Sequence, residues 1–175
     1  RFDDYPFRMS GGQKQRVMIA LALAAEPDFL VADEPTTALD VTIQAQVLDL
    51  LKALQAERGM GLLLITHDLA VVSGMAHRVA LMYAGQIVEV ASAREFFAAP
   101  RHPYARALLR ALPSAEGRGQ PLMAIAGTVP PLTQRFDGCR FAPRCGVALA
   151  HCAQQAPRLE AVAATHAVRC WLAQD

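Results

Sequence analysis

Two short apolar runs, each ended abruptly by polar side chains, constrain the fold of this chain most. The first run, 29–32, leads directly into Asp33 and Glu34, and the second, 61–65, ends two residues before His67. Apolar runs of this length are typical of strands that are buried on both faces of a parallel sheet. Because helical patterns alternate with them, the sequence predicts an α/β fold with a parallel sheet.

Helices are predicted around these strands. Residues 12–25 carry apolar side chains at three- and four-residue steps and stop before Pro27. Asp40 is a favourable N-cap for the next helix, which ends near Gly59. The apolar stripes are Val17, Ala20, Leu21 and Ala24 in the first helix and Ile43, Val47, Leu50, Leu51 and Leu54 in the second. Further helices are predicted over 69–75, 93–98 and 104–112, with a hairpin over 79–83 and 86–90.

Composition narrows the classes of function. The chain has 175 residues, 53% of them apolar, and a net charge of +1. A sizeable core is therefore available, and bulk electrostatics favour neither nucleic acid nor an acidic membrane surface. No apolar run reaches the roughly 18 residues of a membrane-spanning helix. The chain starts at Arg1 without a methionine, and we interpret it as a piece of a longer protein.

The carboxylate pair is the first candidate site. In open α/β sheets, ligands bind at the carboxyl ends of the parallel strands, where Asp33, Glu34 and His67 are expected. In phosphoryl transfer, an Asp in the place of Asp33 holds Mg²⁺, and Glu34 could polarise the attacking water while His67 positions it. The alternative is structural: the two carboxylates cap a turn before Pro35, and His67 caps a helix. The apolar run before the pair and the polar sequence after it favour the chemical interpretation.

A glycine-containing loop is the second candidate site. Ser10, Gly11, Gly12 and Gln13 open the first predicted helix, where backbone N–H groups carry partial positive charge. Glycine would let a phosphate approach these groups closely, and Ser10 would add a hydroxyl donor. An ordinary serine N-cap is the alternative, and only the residues that follow, 14–20, make the pattern specific.

Taken in order, residues 5–112 resemble the C-terminal half of an ATP-binding-cassette (ABC) ATPase, a type of P-loop NTPase. Residues 9–13 resemble the family's signature loop, 30–34 its Walker B strand with the catalytic glutamate, 38–40 its D-loop and His67 its switch histidine. The resemblance implies that the ligands are ATP and Mg²⁺ and that two ATPase units enclose two nucleotides. The signature loop and Asp40 of one unit would then contact nucleotide held by the other.

The rest of the chain resembles the dipeptide/oligopeptide (and nickel) importer ATPases. The matching segments are 102–109, 125–132 and 138–145. This resemblance implies a bacterial importer at the cytoplasmic face of the inner membrane, to which the chain would bind peripherally. Its partners would be a second ABC ATPase subunit, two transmembrane permease subunits and an extracytoplasmic solute-binding protein, with no nucleic acid.

One element of the family pattern is missing. No Gly-x-x-x-x-Gly-Lys-[Ser/Thr] occurs, so the loop that cradles phosphates is absent. We therefore expect the isolated chain to hydrolyse no ATP. An alternative is a non-catalytic half-cassette that lends its signature loop to a partner ATPase, or an inert remnant. A soluble cassette ATPase acting on ribosomes or DNA is disfavoured, since basic stretches and coiled-coil heptads are lacking. The predicted domains are 1–112, a partial ABC ATPase; 113–135, a Pro/Gly linker; and 136–175, a small cysteine-containing C-terminal extension.

Four cysteines fall in that last region: Cys139, Cys145, Cys152 and Cys170. Their spacing lacks the close pairs common in zinc sites and fits an iron–sulfur cage as well as zinc. Disulfides are disfavoured in a reducing cytosol, and unligated thiols remain an alternative. The resemblance implies a [4Fe–4S] cluster in some family members. His151 and His166 could substitute as ligands, although surface positions are expected for both, and Trp171 is expected to pack the tail.

Overall fold

A computed structural model of the protein describes residues 3–112, 124–131 and 133–173. Much of the predicted linker at 113–135 lies outside these residues, as does Leu132 at the end of one segment that carries the resemblance. The chain forms two compact units, Arg1–Met75 and Ala76–Asp175.

The first unit packs helices against a parallel pair of strands. Its elements are α1 (Gly11–Leu23), β1 (Phe29–Asp33), α2 (Val41–Arg58), β2 (Gly61–Ile65) and α3 (Leu69–Met75), preceded by a 3₁₀ turn at Pro6–Arg8. Strands β1 and β2 pair in parallel, from Phe29 opposite Gly61 to Asp33 opposite Ile65. The predicted α/β fold and parallel pairing are confirmed.

Helix α2 begins and ends where the sequence predicts. The Asp40 carboxylate accepts a hydrogen bond from the backbone N–H of Ile43 at 2.9 Å, as an N-cap does. Gly59 ends the helix with φ of 63°, a left-handed conformation that glycine adopts without steric cost. Val47 and Leu51, both 0% exposed, lie in the core of the unit. The predicted apolar stripe of α2 is therefore confirmed.

The sheet departs from its prediction because it is covered on one face only. Leu30 and Ala32 are buried, whereas the alternate side chains on the other face are exposed. These exposed side chains are Phe29 (65%), Val31 (59%), Leu63 (50%) and Ile65 (44%). The expectation of burial on both faces was wrong for this chain, because the helices of the unit bury one side of the strands and leave the alternate residues uncovered.

Helix α1 also buries a face other than the predicted stripe. Ile19 and Leu23 are buried, whereas Val17 and Leu21 are 53% and 75% exposed. A Cβ at Gly12 would lie 2.5 Å from the Ile43 side chain, so α1 and α2 approach closely at this glycine. Because of this close approach, the face of α1 that carries Gly12, Ile19 and Leu23 packs toward α2.

The second unit is built on an antiparallel sheet. Its elements are β3 (Arg78–Tyr83), β4 (Gln86–Ser92), α4 (Ala93–Ala98), α5 (Pro103–Arg110), β5 (Glu160–Ala163) and β6 (His166–Val168). The strand order is β3-β4-β6-β5. The predicted hairpin is confirmed, whereas the two tail strands and the 3₁₀ turns of the tail were not predicted. None of the helices in the described residues is long and apolar enough to cross a membrane.

Candidate functional site

The parallel register of β1 and β2 brings two predicted site residues together. Asp33 ends β1 opposite Ile65 at the end of β2, and the backbone N–H of Glu34 donates to the Ile65 carbonyl at 2.9 Å. Both strands thus end at the same edge of the sheet. The Nδ1 of His67 lies 2.8 Å from Oε1 of Glu34, a direct contact between the two strand ends.

The Glu34 backbone is held in an unusual conformation. Its φ is 46°, in the left-handed region that non-glycine residues rarely adopt. The Thr37 hydroxyl donates to Oε2 of Glu34 at 3.0 Å, so both carboxylate oxygens are engaged. A conformation of this kind costs about 1–3 kcal/mol and is concentrated at functional sites. Here it accompanies a carboxylate fixed by two partners.

The contact between Glu34 and His67 changes the electrostatics of both groups. The hydrogen bond from His67, followed by that from Thr37, lowers the pKa of Glu34 below its usual value. Reciprocally, the hydrogen bond to Glu34 raises the pKa of His67. The side chains of His67 and Glu34 are 84% and 37% exposed, so solvent screens their attraction. Glu34 is therefore ionised at neutral pH, as a group that accepts a proton from water must be.

We predict that His67→Gln raises the pKa of Glu34 toward its ordinary value. The substitution removes the principal interaction that favours the ionised carboxylate. An NMR-monitored pH titration of the Glu34 carboxyl carbon would measure the shift. If Glu34 is the general base, the acid limb of the rate profile moves to higher pH in the same direction.

His151→Gln is the matched control for this titration, because the His151 ring lies against Trp171. It should leave the Glu34 titration unchanged. An unaltered Glu34 pKa in His67→Gln would show that the contact between the strand ends does not persist in solution.

The predicted signature loop forms a helix N-terminus. The Gln13 backbone N–H donates to the Ser10 hydroxyl at 3.3 Å, and the Ser10 N–H donates to the Gln13 side chain at 3.0 Å. This capping box fixes the start of α1. A Cβ on Gly11 would lie 2.9 Å from the Leu39 side chain, next to Asp40. The side chains of Ser10 and Asp40 thus cap their own helices, whereas Glu34 and His67 bond across the sheet.

The four cysteines line one cavity in the second unit, together with His102 and Phe141. All four are free thiols. Burial raises the pKa of Cys139, Cys145 and Cys170, so these thiols are protonated at neutral pH. Within the residues that the structure describes, no three His, Cys, Asp or Glu side chains are grouped to hold a metal ion. The iron–sulfur site therefore stays a prediction.

The two tail histidines differ from each other. His166 was expected at the surface, but it is 4% exposed and its Nε2 lies 2.7 Å from Oε1 of the buried Glu89. The expectation was wrong because the strand β6 places His166 against Glu89. His151 is exposed, with its ring 5.3 Å from that of Trp171. Trp171 packs within the tail and donates to the Gln155 carbonyl at 3.2 Å, as expected.

Sequence reasoning missed several polar residues that organise these sites. Thr37 supports Glu34, and its position three residues after the glutamate was the available signal. Glu89 interrupts the apolar run of β4, a pattern that should have pointed to a buried carboxylate with partners. His102 precedes Pro103 at the start of α5, and histidine is an uncommon N-cap, so no rule indicated its role.

Asp33, Glu34 and His67 lie at the carboxyl ends of parallel strands, which is where open α/β sheets bind their ligands. Two family models match the sequence: "ABC transporter" over residues 1–37 and "Oligopeptide/dipeptide transporter, C-terminal region" over residues 88–152. The chain is thus similar to the ABC transporters in its first segment. In its C-terminal part it is similar to the oligopeptide/dipeptide transporters of that family.

Curated relatives and a solved structure are similar to this chain. The dipeptide transport ATP-binding protein DppD of Escherichia coli is 51% identical over 170 residues, which cover 97% of this chain and 52% of the relative. DppD of Haemophilus influenzae is 54% identical over 160 residues, covering 91% and 48%. The chain thus spans about half the length of the curated relatives it matches. A solved dimeric ATP-binding cassette in a post-hydrolysis state with ADP and Pi is 37% identical, covering 53% of this chain and 39% of that one, with a TM-score of 0.47.

Proposed function

We propose that this chain is the C-terminal half of the ATP-hydrolysing subunit of a bacterial importer for dipeptides or oligopeptides. The observation that carries the proposal is the 2.8 Å contact between Glu34 and His67 at adjacent strand ends. A carboxylate held ionised and paired with a histidine suits the activation of water for attack on a phosphate.

Each residue of the site would have a distinct role. Glu34 would accept a proton from the attacking water, and His67 would hold the carboxylate in place and face the γ-phosphate. Asp33 ends its strand with an exposed carboxylate, the kind of oxygen ligand that Mg²⁺ prefers. When bound there, Mg²⁺ would supply positive charge that neutralises the phosphate oxygens. Residues 10–13 would present the amides of the α1 N-terminus to nucleotide held by a second ATPase subunit.

The substrate and the partners are proposed from the named relatives. The two DppD proteins are dipeptide transport ATP-binding proteins, and residues 88–152 match the transporter C-terminal region. A second ABC ATPase subunit, two permease subunits and an extracytoplasmic solute-binding protein would complete the assembly. The ATPase would then lie at the cytoplasmic face of the inner membrane. We also propose the division into a partial cassette (1–112), a linker (113–135) and a cysteine-containing region (136–175).

We predict that peptide-loaded binding protein stimulates ATP hydrolysis by the complete ATPase reconstituted with its permeases. The isolated chain of 175 residues should hydrolyse none, because it lacks a phosphate-binding loop. Phosphate release would be measured for the complete ATPase in proteoliposomes and for the isolated chain in solution. Stimulation by a different solute, with no response to peptides, would contradict the proposed substrate.

A half-cassette without its own catalysis is the second candidate. This candidate rests on the start of α1, which the capping box of Ser10 and Gln13 fixes. Such a chain would add its α1 N-terminus to another subunit's nucleotide. A native protein of 18.9 kDa in the source cell would support this candidate, and a mass about twice as large would support the complete ATPase.

We also propose that the cysteine cavity takes a [4Fe–4S] cluster with a structural role. Support comes from the donor set, since four thiols line the cavity. Within the described residues these thiols are not grouped to hold a metal ion, so binding would require them to draw together. Four cysteines are the usual ligand number for such a cluster. When bound, the cluster would link the separate segments of the tail that carry its ligands. Iron and acid-labile sulfide in anaerobically purified protein would support it, and zinc in their place would oppose it.

A further inference from the structure

Three of the four cysteines that line the cavity have an arginine as a direct neighbour in the chain. Each of these arginines is half-buried, and each guanidinium donates to backbone carbonyls of other segments. A guanidinium carries five N–H donors in a fixed fork, so it can hold two carbonyls at defined positions. The neighbouring pairs are Cys139 with Arg140, Arg144 with Cys145, and Arg169 with Cys170.

Arg169 is tied to two separate parts of the second unit. Its backbone N–H donates to the Val88 carbonyl at 2.8 Å. Its Nε donates to the Ile87 carbonyl at 2.9 Å, and its Nη1 donates to the Pro157 carbonyl at 3.1 Å. Pro157 itself lines the cavity. The backbone next to Cys170 is therefore fixed both to strand β4 and to the segment that precedes β5.

The other two arginines reach the turn that joins β3 to β4. Nη1 of Arg140 donates to the Ala84 carbonyl. Nη1 of Arg144 donates to the Tyr83 hydroxyl at 3.4 Å, and the guanidinium carbon lies 6.0 Å from the centre of the tyrosine ring. Residues 83–87, which end β3, form the turn and begin β4, thus accept hydrogen bonds from all three arginines.

Arg144 has a second anchor in the segment that precedes the cysteines in the chain. Its Nε donates to the Ala126 carbonyl at 2.8 Å, and its Nη2 donates to the Ile125 carbonyl at 2.9 Å. Hydrogen bonds from a charged donor are stronger than neutral ones. Cys145 therefore follows a residue that is fixed to two other segments at once.

Cys152 is the one cysteine of the four without an adjacent arginine, and the backbone of Cys139 holds it instead. The Cys139 N–H donates to the Cys152 carbonyl at 2.7 Å. Gly138 permits this close approach, because a Cβ at that position would collide with the same carbonyl oxygen. The segment that carries Cys152 is therefore fixed relative to the segment that carries Cys139.

We propose that Arg140, Arg144 and Arg169 are positioning residues, which fix three of the cysteines around the cavity before any metal binds. The inference rests on the proposed cysteine site, but the contacts that carry it join arginine side chains to backbone carbonyls and one tyrosine. The arginines thus fix the backbone next to each cysteine, and the thiols keep their freedom to rotate about χ1. Each arginine should therefore control the reactivity of its own neighbouring thiol.

The test is the rate at which iodoacetamide alkylates each thiol in the reduced, metal-free chain of 175 residues, followed peptide by peptide by mass spectrometry. Arg169→Met keeps an unbranched apolar stem but removes every N–H donor of the side chain. We expect alkylation of Cys170 to rise about tenfold, equivalent to about 1.4 kcal/mol, with the other three thiols unchanged. Arg144→Met should act in the same way on Cys145 alone.

Arg169→Lys is the conservative variant, and Arg94→Met is the matched control. Lysine keeps the charge and can donate to one of the two carbonyls, so Cys170 should be less reactive than in Arg169→Met. Arg94 is exposed on α4 and does not line the cavity, so its replacement should leave all four thiols unchanged. Circular dichroism would establish that each variant is folded. If Arg169→Met does not fold, Arg144→Met provides the same test at Cys145.

An unchanged Cys170 rate in a folded Arg169→Met chain would overturn the proposal, as would an equal rise at all four thiols. A lysine variant as reactive as the methionine variant would also contradict it. A slower Cys170 would show that the guanidinium acts on the thiolate through its charge, and the positioning role would then be wrong. A wild-type chain that takes up no iron on reconstitution would count against the proposed cluster alone, because the alkylation rates are measured without metal.

Discussion

Replacement of Glu34 by glutamine is expected to lower ATP turnover by the complete transporter by about 10²- to 10⁴-fold, the range typical of a lost general base. Glutamine keeps the size of the side chain and can still accept from the Thr37 hydroxyl. It cannot take a proton from water at neutral pH. ATP should therefore bind and remain uncleaved, and rapid-quench measurement of bound ATP and ADP would show this directly.

Glu57→Gln is the matched control for this experiment, because Glu57 is an exposed glutamate near the end of α2. Turnover of that variant should equal the wild-type rate. Full turnover by Glu34→Gln would remove Glu34 from its proposed role, whatever its contact with His67.

Replacement of Leu51 by alanine is expected to lower the free energy of unfolding by about 2–5 kcal/mol. Leu51 is 0% exposed and packs in one cluster with Ile19, Leu23, Leu30, Val47 and Met60. Removing its side-chain carbons leaves a cavity between the helices and the sheet. A loss of this size is a large share of the roughly 5–15 kcal/mol that stabilises a typical domain. Urea denaturation of the 175-residue chain would measure it.

Leu21→Ala is a control with identical chemistry at an exposed position. Leu21 lies on α1 and is 75% exposed, so its truncation should change stability by no more than about 0.5 kcal/mol. Equal losses at both positions would contradict the packing of α1 described by the structure.

The local elements of the first unit could be predicted because their signals are local. Asp40 and Gly59 lie at the two ends of α2, and the abrupt ends of the apolar runs predicted β1 and β2. The exposed face of the sheet could not be predicted. A five-residue apolar strand is compatible with burial on one face or two, and the choice depends on what packs against it. The face that α1 buries depends in the same way on the close approach at Gly12.

The two sites differ in how far they could be predicted. Proximity of Glu34 and His67 followed from the rule that parallel strands end at one edge of a sheet. The partnership of Glu89 with His166 spans 77 positions of the chain and depends on strands that carry little sequence signal. The position of His102 at the cysteine cavity depends on the same fold. Such contacts are set by tertiary packing, which periodicity and spacing in a single sequence do not encode.

The position of β6 between β4 and β5 has a consequence for how such a chain can be shortened. Glu89 and Val90 of β4 pair with Val168 and Ala167 of β6, so the tail occupies the side of β4 that faces away from β3. Without that tail, the outer row of N–H and C=O groups on β4 would be open to any strand of another molecule. The C-terminal segment thus also covers a strand edge through which two molecules could otherwise associate. Removing the segment would expose that edge whether or not ATP, peptide or metal is bound.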